Sequence, residues 1–335
     1  MDRIKEGFMK CDVSVIIPNF NGEKFIANCL DSMMVQSFST FGHMEIIVVD
    51  DCSSDGSVDI IKNYENVTLV ENFVNSGFDK SVNQGILASR GKYCLLLNND
   101  VVADPDFVKY LYLHIDDNPR IFSVSSKMIR FYERDKLDDT GDFYNILGWG
   151  YKRGDGQSVN AYNKPTAIFS SCAGAGIYRR SILNEIGLFD EAFFAYMEDV
   201  DIGYRALING YKNRYEPKAI CYHIGSATTA EGQKYSPFKV QISARNNIYV
   251  AYKNMPFVQL LVNSPFLLLG FVVKYITFAK RGFGQDYRAG IKEGLKKHRI
   301  MTKVPFQFRN LKYYFFIEVQ LIVNVLRQVA NKIGK

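Results

Sequence analysis

A chain of 335 residues, 47% hydrophobic and 23% charged, has the make-up of a folded protein with one elaborated domain or two, which excludes disordered, collagen-like and low-complexity readings. Its six cysteines, Cys11, Cys29, Cys52, Cys94, Cys172 and Cys221, include no CxxC pair, so neither a disulfide framework nor a zinc knuckle is expected and the thiols read as reduced and cytosolic. The net charge of +6 hides an asymmetry: residues 251–335 carry 15 Lys/Arg against 3 Asp/Glu, a net +12, which leaves residues 1–250 with 26 against 32, a net −6.

An acidic body with a basic end suits an anionic membrane surface or a nucleic acid. The first ten residues are followed by no apolar run of the kind a signal peptide needs. Residues 13–18 (VSVIIP) are a short apolar run closed by Pro18-Asn19, which predicts a strand entering a loop. Phe25, Ile26, Cys29, Leu30, Met33 and Met34 then recur at helical spacing. A second buried strand is predicted at 45–50 (EIIVVD), a short helix at 57–64, a third strand at 67–70, a helix at 80–89 and a fourth strand at 93–97 (YCLLL). Near-continuous apolar strands alternating with helices mean a parallel sheet covered on both faces, so the fold class is α/β.

Beyond residue 100 the alternation loosens. A helix at 105–115 and a strand at 122–131 precede a polar, Gly-rich stretch at 135–164 that holds the single tryptophan, Trp149. Helices at 181–186 and 200–208 and a strand at 219–223 follow, and from about 236 the chain is helical, aromatic and basic. The expected division is a body over residues 1–250 and a helical extension over 251–335. The longest apolar stretch, 257–279, is interrupted by Gln259, Asn263, Ser264, Pro265 and Lys274, which argues against a spanning helix.

Ligands of open α/β sheets bind beyond the carboxyl ends of the strands. Those ends carry Pro18-Asn19-Phe20-Asn21, Asp50-Asp51, Asn75-Ser76-Gly77 and Asn98-Asn99-Asp100. Each cluster has a plain alternative as a turn or helix cap, although two adjacent carboxylates at Asp50 and Asp51 exceed what a cap needs. No Walker or GxGxxG loop is present, so a bound phosphate would call on a metal, which one Asp and carbonyl-type oxygens suit. The densest acidic cluster, Glu198-Asp199-Val200-Asp201, opens a predicted helix. One of its acids suits the helix dipole, and Phe193, Phe194, Tyr196 and Met197 beside them offer partial desolvation for a carboxylate base. His223 ends a strand, AICYH, ahead of Gly225-Ser226-Ala227-Thr228, and reads either as structural or as a metal ligand.

The runs VSVIIPNFNG, EIIVVDDCSSDGS, NSGF with Asn83 downstream, and YCLLLNNDV resemble family 2 glycosyltransferases of the GT-A fold. The later run CAGAGIYRRSILNEIGLFDEAFFAYMEDVD, followed by CYHIGSAT and Ala244-Arg245-Asn246-Asn247, is similar to their rhamnosyltransferase-like branch. The resemblance spans roughly residues 12–255 and implies a Rossmann-like, mostly parallel central sheet with flanking helices. It further implies that Pro18, Asn19, Asn21, Asp50 and Asp51 surround the base and ribose, with Asn75, Gly77 and Asn83 on the nucleotide–sugar side. Asn98-Asn99-Asp100 would stand at the DxD motif, where Asp100 ligates a divalent cation, Mg2+ or Mn2+, with His223 as a further ligand. Two of the three DxD positions are asparagines here, which leaves one formal carboxylate for the metal. Asp199 would be the base, beside Glu198, while the loop at 172–177 with Cys172, Ala173 and Gly174 would lie on the acceptor side, where Trp149 is also expected.

One base and one direct displacement invert the anomeric centre, and the sequence offers no obvious second carboxylate as a nucleophile. The expected protein is thus an inverting, metal-dependent transferase acting on a surface-polysaccharide or polyprenyl-diphosphate-linked glycan acceptor. Its expected donor is dTDP-L-rhamnose, or else a UDP-sugar such as galactofuranose, glucose or N-acetylhexosamine. A non-catalytic scaffold of the same fold is the rival that Asn98-Asn99 motivates. The basic extension reads as helices packed on the body, as a lipid-facing platform at the inner face of the cell membrane, or as both. It contains no recognisable nucleic-acid module, so no nucleic-acid partner is expected, and an oligomer is compatible with the sequence.

Overall fold

In the computed structural model the described residues are 11–225 and 235–333, so the segment read for a signal peptide and Ser226-Ala227-Thr228 lie outside them. The parallel half of the sheet has the order β3-β2-β1-β4, from β1 (Val13–Asn19), β2 (Met44–Asp50), β3 (Val67–Glu71) and β4 (Tyr93–Leu97). Helices α1 (Ile26–Met34), α2 (Ser57–Lys62) and α3 (Phe78–Ala88) connect these strands. Every residue of β4 is buried, as a strand covered on both faces requires, and each buried Leu, Ile or Val contributes roughly 1.5–3 kcal/mol.

The chain continues through β5 (Val101–Ala103), α4 (Phe107–Asp116), β6 (Ile121–Arg130), β7 (Leu137–Asp139), β8 (Asp142–Tyr144), β9 (Gly150–Lys152) and β10 (Thr166–Ile168). Next come β11 (Ala175–Arg179), α5 (Arg180–Ile186), α6 (Glu198–Ile208) and β12 (Lys212–His223). The sheet extends past β4 as β11-β6-β12-β10; β11 is antiparallel to both its neighbours, whereas β6 and β12 are parallel to each other. β5 and β7 attach at the ends of β12 and β6, and β8 and β9 form a separate hairpin.

Three expectations change. The polar stretch at 135–164 contains β7, β8 and β9. Residues 175–177 of the expected acceptor loop belong to β11, which leaves only 172–174 as loop. β12 begins at Lys212 rather than 219: the charged, Pro-containing run KNRYEPK hides a strand whose Asn213 and Glu216 are buried and whose register shifts between Tyr215 and Ile220.

Four helices close the chain: α7 (Pro237–Asn254), α8 (Phe257–Ala279), α9 (Gly284–Lys297) and α10 (Leu311–Ile333). Ser236 caps α7 by accepting from the Lys239 N–H. One apolar cluster joins Tyr144, Phe169 and Tyr204 to Leu267 of α8 and to Tyr314, Ile317 and Leu321 of α10, so the extension packs on the sheet-bearing part. Among the described residues α8 alone is long and apolar enough to cross a membrane; its most apolar window has a mean hydropathy of 1.7 and is 17% buried. The outer faces of α8 and α10 expose Leu261, Leu268, Leu269, Ile276, Phe315 and Phe316.

Candidate active site

Side-chain amides fasten the strand ends together. Asn19 donates to Asp50 Oδ1 at 2.7 Å and to Ser57 Oγ at 3.0 Å, and its own oxygen accepts from Asn99 at 2.8 Å. This one buried side chain therefore links the ends of β1, β2 and β4. Asp50 also accepts from the Ser53 N–H at 2.9 Å. Asp51 accepts from Asn72 Nδ2 (2.9 Å) and from the N–H groups of Ser76 (2.9 Å) and Gly77 (2.8 Å), which fixes the loop after β3. Asn21, at φ 49°, accepts from the Ser54 N–H at 2.9 Å, Pro18 is half-buried, and Asn75 is exposed.

Gly77 has φ +90° and lies against Phe194, where a Cβ would come within 2.5 Å of the ring, so no other residue fits without displacement. Asn83 is engaged elsewhere: its amide donates to Phe189 O (2.8 Å) and accepts from Phe189 N (3.1 Å), tying α3 to the segment after α5. Asn98 is half-buried against Gly174, whose carbonyl accepts its N–H at 2.9 Å.

Asp100 and His223, far apart in sequence, meet because β5 pairs with the end of β12. His223 Nε2 is 3.4 Å from Asp100 Oδ1, while its Nδ1 is 2.8 Å from Asp138 Oδ2, and Lys152 Nζ donates to that same oxygen at 2.9 Å. Burial opposes charge on the imidazole, but Asp100 and then Asp138 outweigh it and lift His223 to about 9. Burial likewise opposes the Asp138 carboxylate, yet Lys152 and His223 hold it well below the usual carboxylate range. A buried carboxylate oxygen beside an imidazole nitrogen, with a second carboxylate fixing the far side of the ring, is a donor set that fits a divalent cation.

A second group of carboxylates adjoins this one. Asp139, next to Asp138 on β7, lies with Asp142 and Cys172 such that their ligand atoms are within 4.8 Å of one another. Asp142 shares a hydrogen bond with Asp199 at the start of α6. Burial raises both carboxyls, and two carboxyls in hydrogen-bond contact require one proton shared between them. Burial lifts Asp139 to about 7, against the pull of Lys152. Glu198 is buried, and among the described residues its Oε2 has no hydrogen-bond partner; burial and then Asp79 push its carboxyl up.

The segment before α6 is strained. Phe194, Tyr196 and Met197 have φ of 69°, 68° and 73°, an arrangement that costs energy for side chains with a Cβ and persists only when the surroundings impose it. Asn246 of α7 supplies that constraint: its buried amide donates to Phe193 O (3.0 Å), Ala195 O (2.8 Å) and Tyr196 O (2.7 Å). Of the residues expected to face an acceptor, Trp149 is half-buried and donates to Gly270 O of α8 at 3.2 Å. Cys172 is desolvated, which pushes its thiol well up and disfavours a thiolate nucleophile; Ala173 is buried and Gly174 adjoins Asn98.

The sequence reading missed Asp138, Asp139, Asp142 and Lys152. Their signal was the acid density of LDDTGD shortly before Gly-Trp-Gly, which read simply as a polar loop.

With the geometry in place, comparison with known proteins is informative. The family model described as Glycosyl transferase family 2 matches residues 14–187. The poly-beta-1,6-N-acetyl-D-glucosamine synthase of Staphylococcus epidermidis is 24% identical over 216 residues, 63% of this chain and 49% of that protein. The poly(ribitol-phosphate) beta-glucosyltransferase of Bacillus spizizenii is 41% identical over 93 residues, 26% of this chain and 14% of that one. The chain thus spans about half the length of the first relative and less of the second.

Among solved structures, GalNAc-T7 with UDP, GalNAc and Mn2+ aligns with a TM-score of 0.58 at 16% identity, over 73% of this chain and 48% of that one. The mannosyltransferase of Pyrobaculum calidifontis with GDP-Man and Mn2+ gives 0.53 at 15% identity, over 86% and 85%. TarS 1-349 of S. aureus with UDP-GlcNAc gives 0.52 at 17%, over 85% and 92%. These likenesses establish the fold as GT-A. Because the family match spans more than half of its residues, the chain belongs to glycosyl transferase family 2.

Proposed function

We propose that this glycosyltransferase moves a sugar, with inversion, from a nucleotide-diphosphate donor to a hydroxyl of a surface-polysaccharide or lipid-linked glycan. The observation that carries the reading is a continuous polar path from Asp100 through His223, Asp138 and the Asp139–Asp142 group to Asp199. A cation-binding donor set stands at one end and a carboxyl of raised pKa at the other, which are the two groups a displacement at an anomeric carbon needs. The acceptor oxygen bonds to that carbon as the bond to the diphosphate oxygen breaks. The nucleoside diphosphate leaves with the electron pair, and Asp199 takes the acceptor's proton. The hydrogen bond shared with Asp142 orients one Asp199 oxygen and leaves the other for the acceptor.

Asp100 and His223 would hold Mg2+ or Mn2+, which when bound supplies Lewis-acid neutralisation of the diphosphate. Pro18, Asn19, Asn21, Asp50, Asp51, Asn75, Gly77, Asn98 and Asn99 would surround the donor, with Asn83 supporting them from behind. Glu198 would sit beside the base, and Trp149, Cys172, Ala173 and Gly174 would face the acceptor. A UDP-linked hexose or N-acetylhexosamine is the donor we favour, supported by the similar structures with UDP and UDP-GlcNAc. A dTDP-L-rhamnose donor is the second reading, supported by the motif run from Cys172 to Asp201. The exposed apolar faces of α8 and α10, among many basic residues, support peripheral attachment at the cytoplasmic face of a membrane.

The test is nucleoside-diphosphate release from UDP-GlcNAc and from dTDP-L-rhamnose in the presence of a bacterial glycolipid extract. The Asp199→Asn variant should lose about 10²- to 10⁴-fold in turnover while keeping its nucleotide affinity. Unchanged turnover would remove Asp199 from the base role. A wild-type protein that neither binds nor turns over either donor would favour the scaffold.

A further inference from the structure

The inward stripe of α8 runs through Asn263, Leu267 and Gly270, all buried. Helical geometry puts Lys274 next on the same stripe. Gly270 lets the backbone at Leu147 approach so closely that a Cβ would come within 2.0 Å of its carbonyl oxygen, and the Trp149 indole donates to Gly270 O at 3.2 Å. Lys274 Nζ then lies 5.9 Å from the centre of the Trp149 ring.

This lysine is half-buried and, among the described residues, has no carboxylate within ion-pair distance. Two other lysines of the extension do have such partners: Lys253 pairs with Asp190 and Asp201, and Lys297 with Glu293. Withdrawing an ammonium from water without a counter-charge is costly, and burial alone pushes Lys274 down to about 8. The natural complement of such a group is an anion that arrives with a ligand.

The surroundings identify that ligand's chemistry. On the outer side of α8, Leu268, Leu269, Val272, Val273 and Ile276 are exposed, a surface suited to an acyl or prenyl chain. On the inner side, Gly150, the residue after Trp149, would place a Cβ 3.0 Å from Met197 Sδ, immediately before Glu198 and Asp199. An anion at Lys274 therefore has an apolar surface on one side, and on the other the Trp149-Gly150 segment that packs on Met197, the residue before Glu198.

We propose that Lys274 and Trp149 form a subsite for the phosphate of a lipid-anchored acceptor, holding the lipid along α8 and presenting the attached glycan to Asp199. The assignment rests on the transferase reading above and adds the acceptor's phosphate to it.

Trp149 is the single tryptophan, so its fluorescence reports on this subsite. Farnesyl phosphate and farnesol, titrated with UDP and Mn2+ in excess to fill the donor site, are the probes. Farnesyl phosphate should shift Trp149 emission saturably, with farnesol about tenfold weaker or worse. Lys274→Gln should abolish that difference, Lys274→Arg should restore it, and UDP affinity by calorimetry should be unchanged in both. Equal binding of farnesol and farnesyl phosphate, or an unaffected Lys274→Gln variant with a native circular dichroism spectrum, would overturn the subsite. Competition by phosphatidylglycerol vesicles as effective as farnesyl phosphate would overturn the acceptor assignment in favour of a bilayer headgroup. A wild-type protein that binds no nucleotide but discriminates the two probes would count against the transferase reading and leave the subsite standing.

Discussion

Asp79, on α3, is fully buried, and among the described residues neither of its carboxyl oxygens has a hydrogen-bond partner. Burial, then Asp201, Asp190 and Asp199, push its carboxyl well above the ordinary range, only partly relieved by Lys253. A carboxyl with a raised folded-state pKa binds its proton more tightly in the native protein than in the unfolded chain. Its contribution to stability is full below the ordinary aspartate value of about 3.9 and is lost as pH rises through the folded value. Asp79→Asn should therefore raise the melting temperature at pH 8 and have little effect near pH 4, as thermal melts across that window would read. A gain that is the same at both pH values would mean the proton is not what Asp79 costs the fold. Asp201 differs: burial opposes its charge, but Arg205 and Lys253 hold its carboxyl low, so counter-charges decide which buried acid of the network keeps its charge.

The segment from 193 to 197 depends on a neighbouring element. Its three positive-φ residues lead directly into Glu198, and α7 restrains them through Asn246. Asn246→Ala would take a side-chain donor from the Ala195 and Tyr196 carbonyls and leave Phe193 O to Arg245 alone. The expected cost is about 1–3 kcal/mol of stability, with turnover falling more than donor affinity because Asp199 loses its fixed position. Chemical denaturation together with donor titration checks this; unchanged turnover in a folded variant would show that the segment holds its shape without α7.

Elements differ in how plainly the sequence displays them, for the same physical reason. β1, β2 and β4 are buried on both faces and appear as unbroken apolar runs, so their ends, with Asn19, Asp50 and Asp100, were legible. β7 and β9 are three residues long and carry Asp138, Asp139 and Lys152, charges stabilised by one another rather than by water. Nothing local in the sequence announces such pairing. The Asp100–His223 contact was anticipated only by the family resemblance, because β5 and the end of β12 are 120 residues apart and meet through the sheet.

Across the whole molecule, charge and apolar surface are segregated together. The extension's net +12 accompanies exposed apolar side chains on α8 and α10, with Phe315 and Phe316 at 66% and 58% exposure. The protein should float with phosphatidylglycerol vesicles and far less with phosphatidylcholine, and raising salt should weaken but not abolish the binding, since burial of apolar surface is not screened. Complete release by salt would make the contact purely electrostatic.

Nucleotide binding connects the strand ends, the Asp100–His223 donor set and the transferase assignment in one experiment. UDP, UDP-GlcNAc and dTDP-L-rhamnose are titrated calorimetrically into wild type and Asp100→Ala, each with and without Mn2+. The proposed site predicts binding that Mn2+ strengthens by about tenfold or more in wild type and does not strengthen in the variant. Binding of equal strength with and without Mn2+ in both proteins would contradict a metal–diphosphate site at Asp100 and His223.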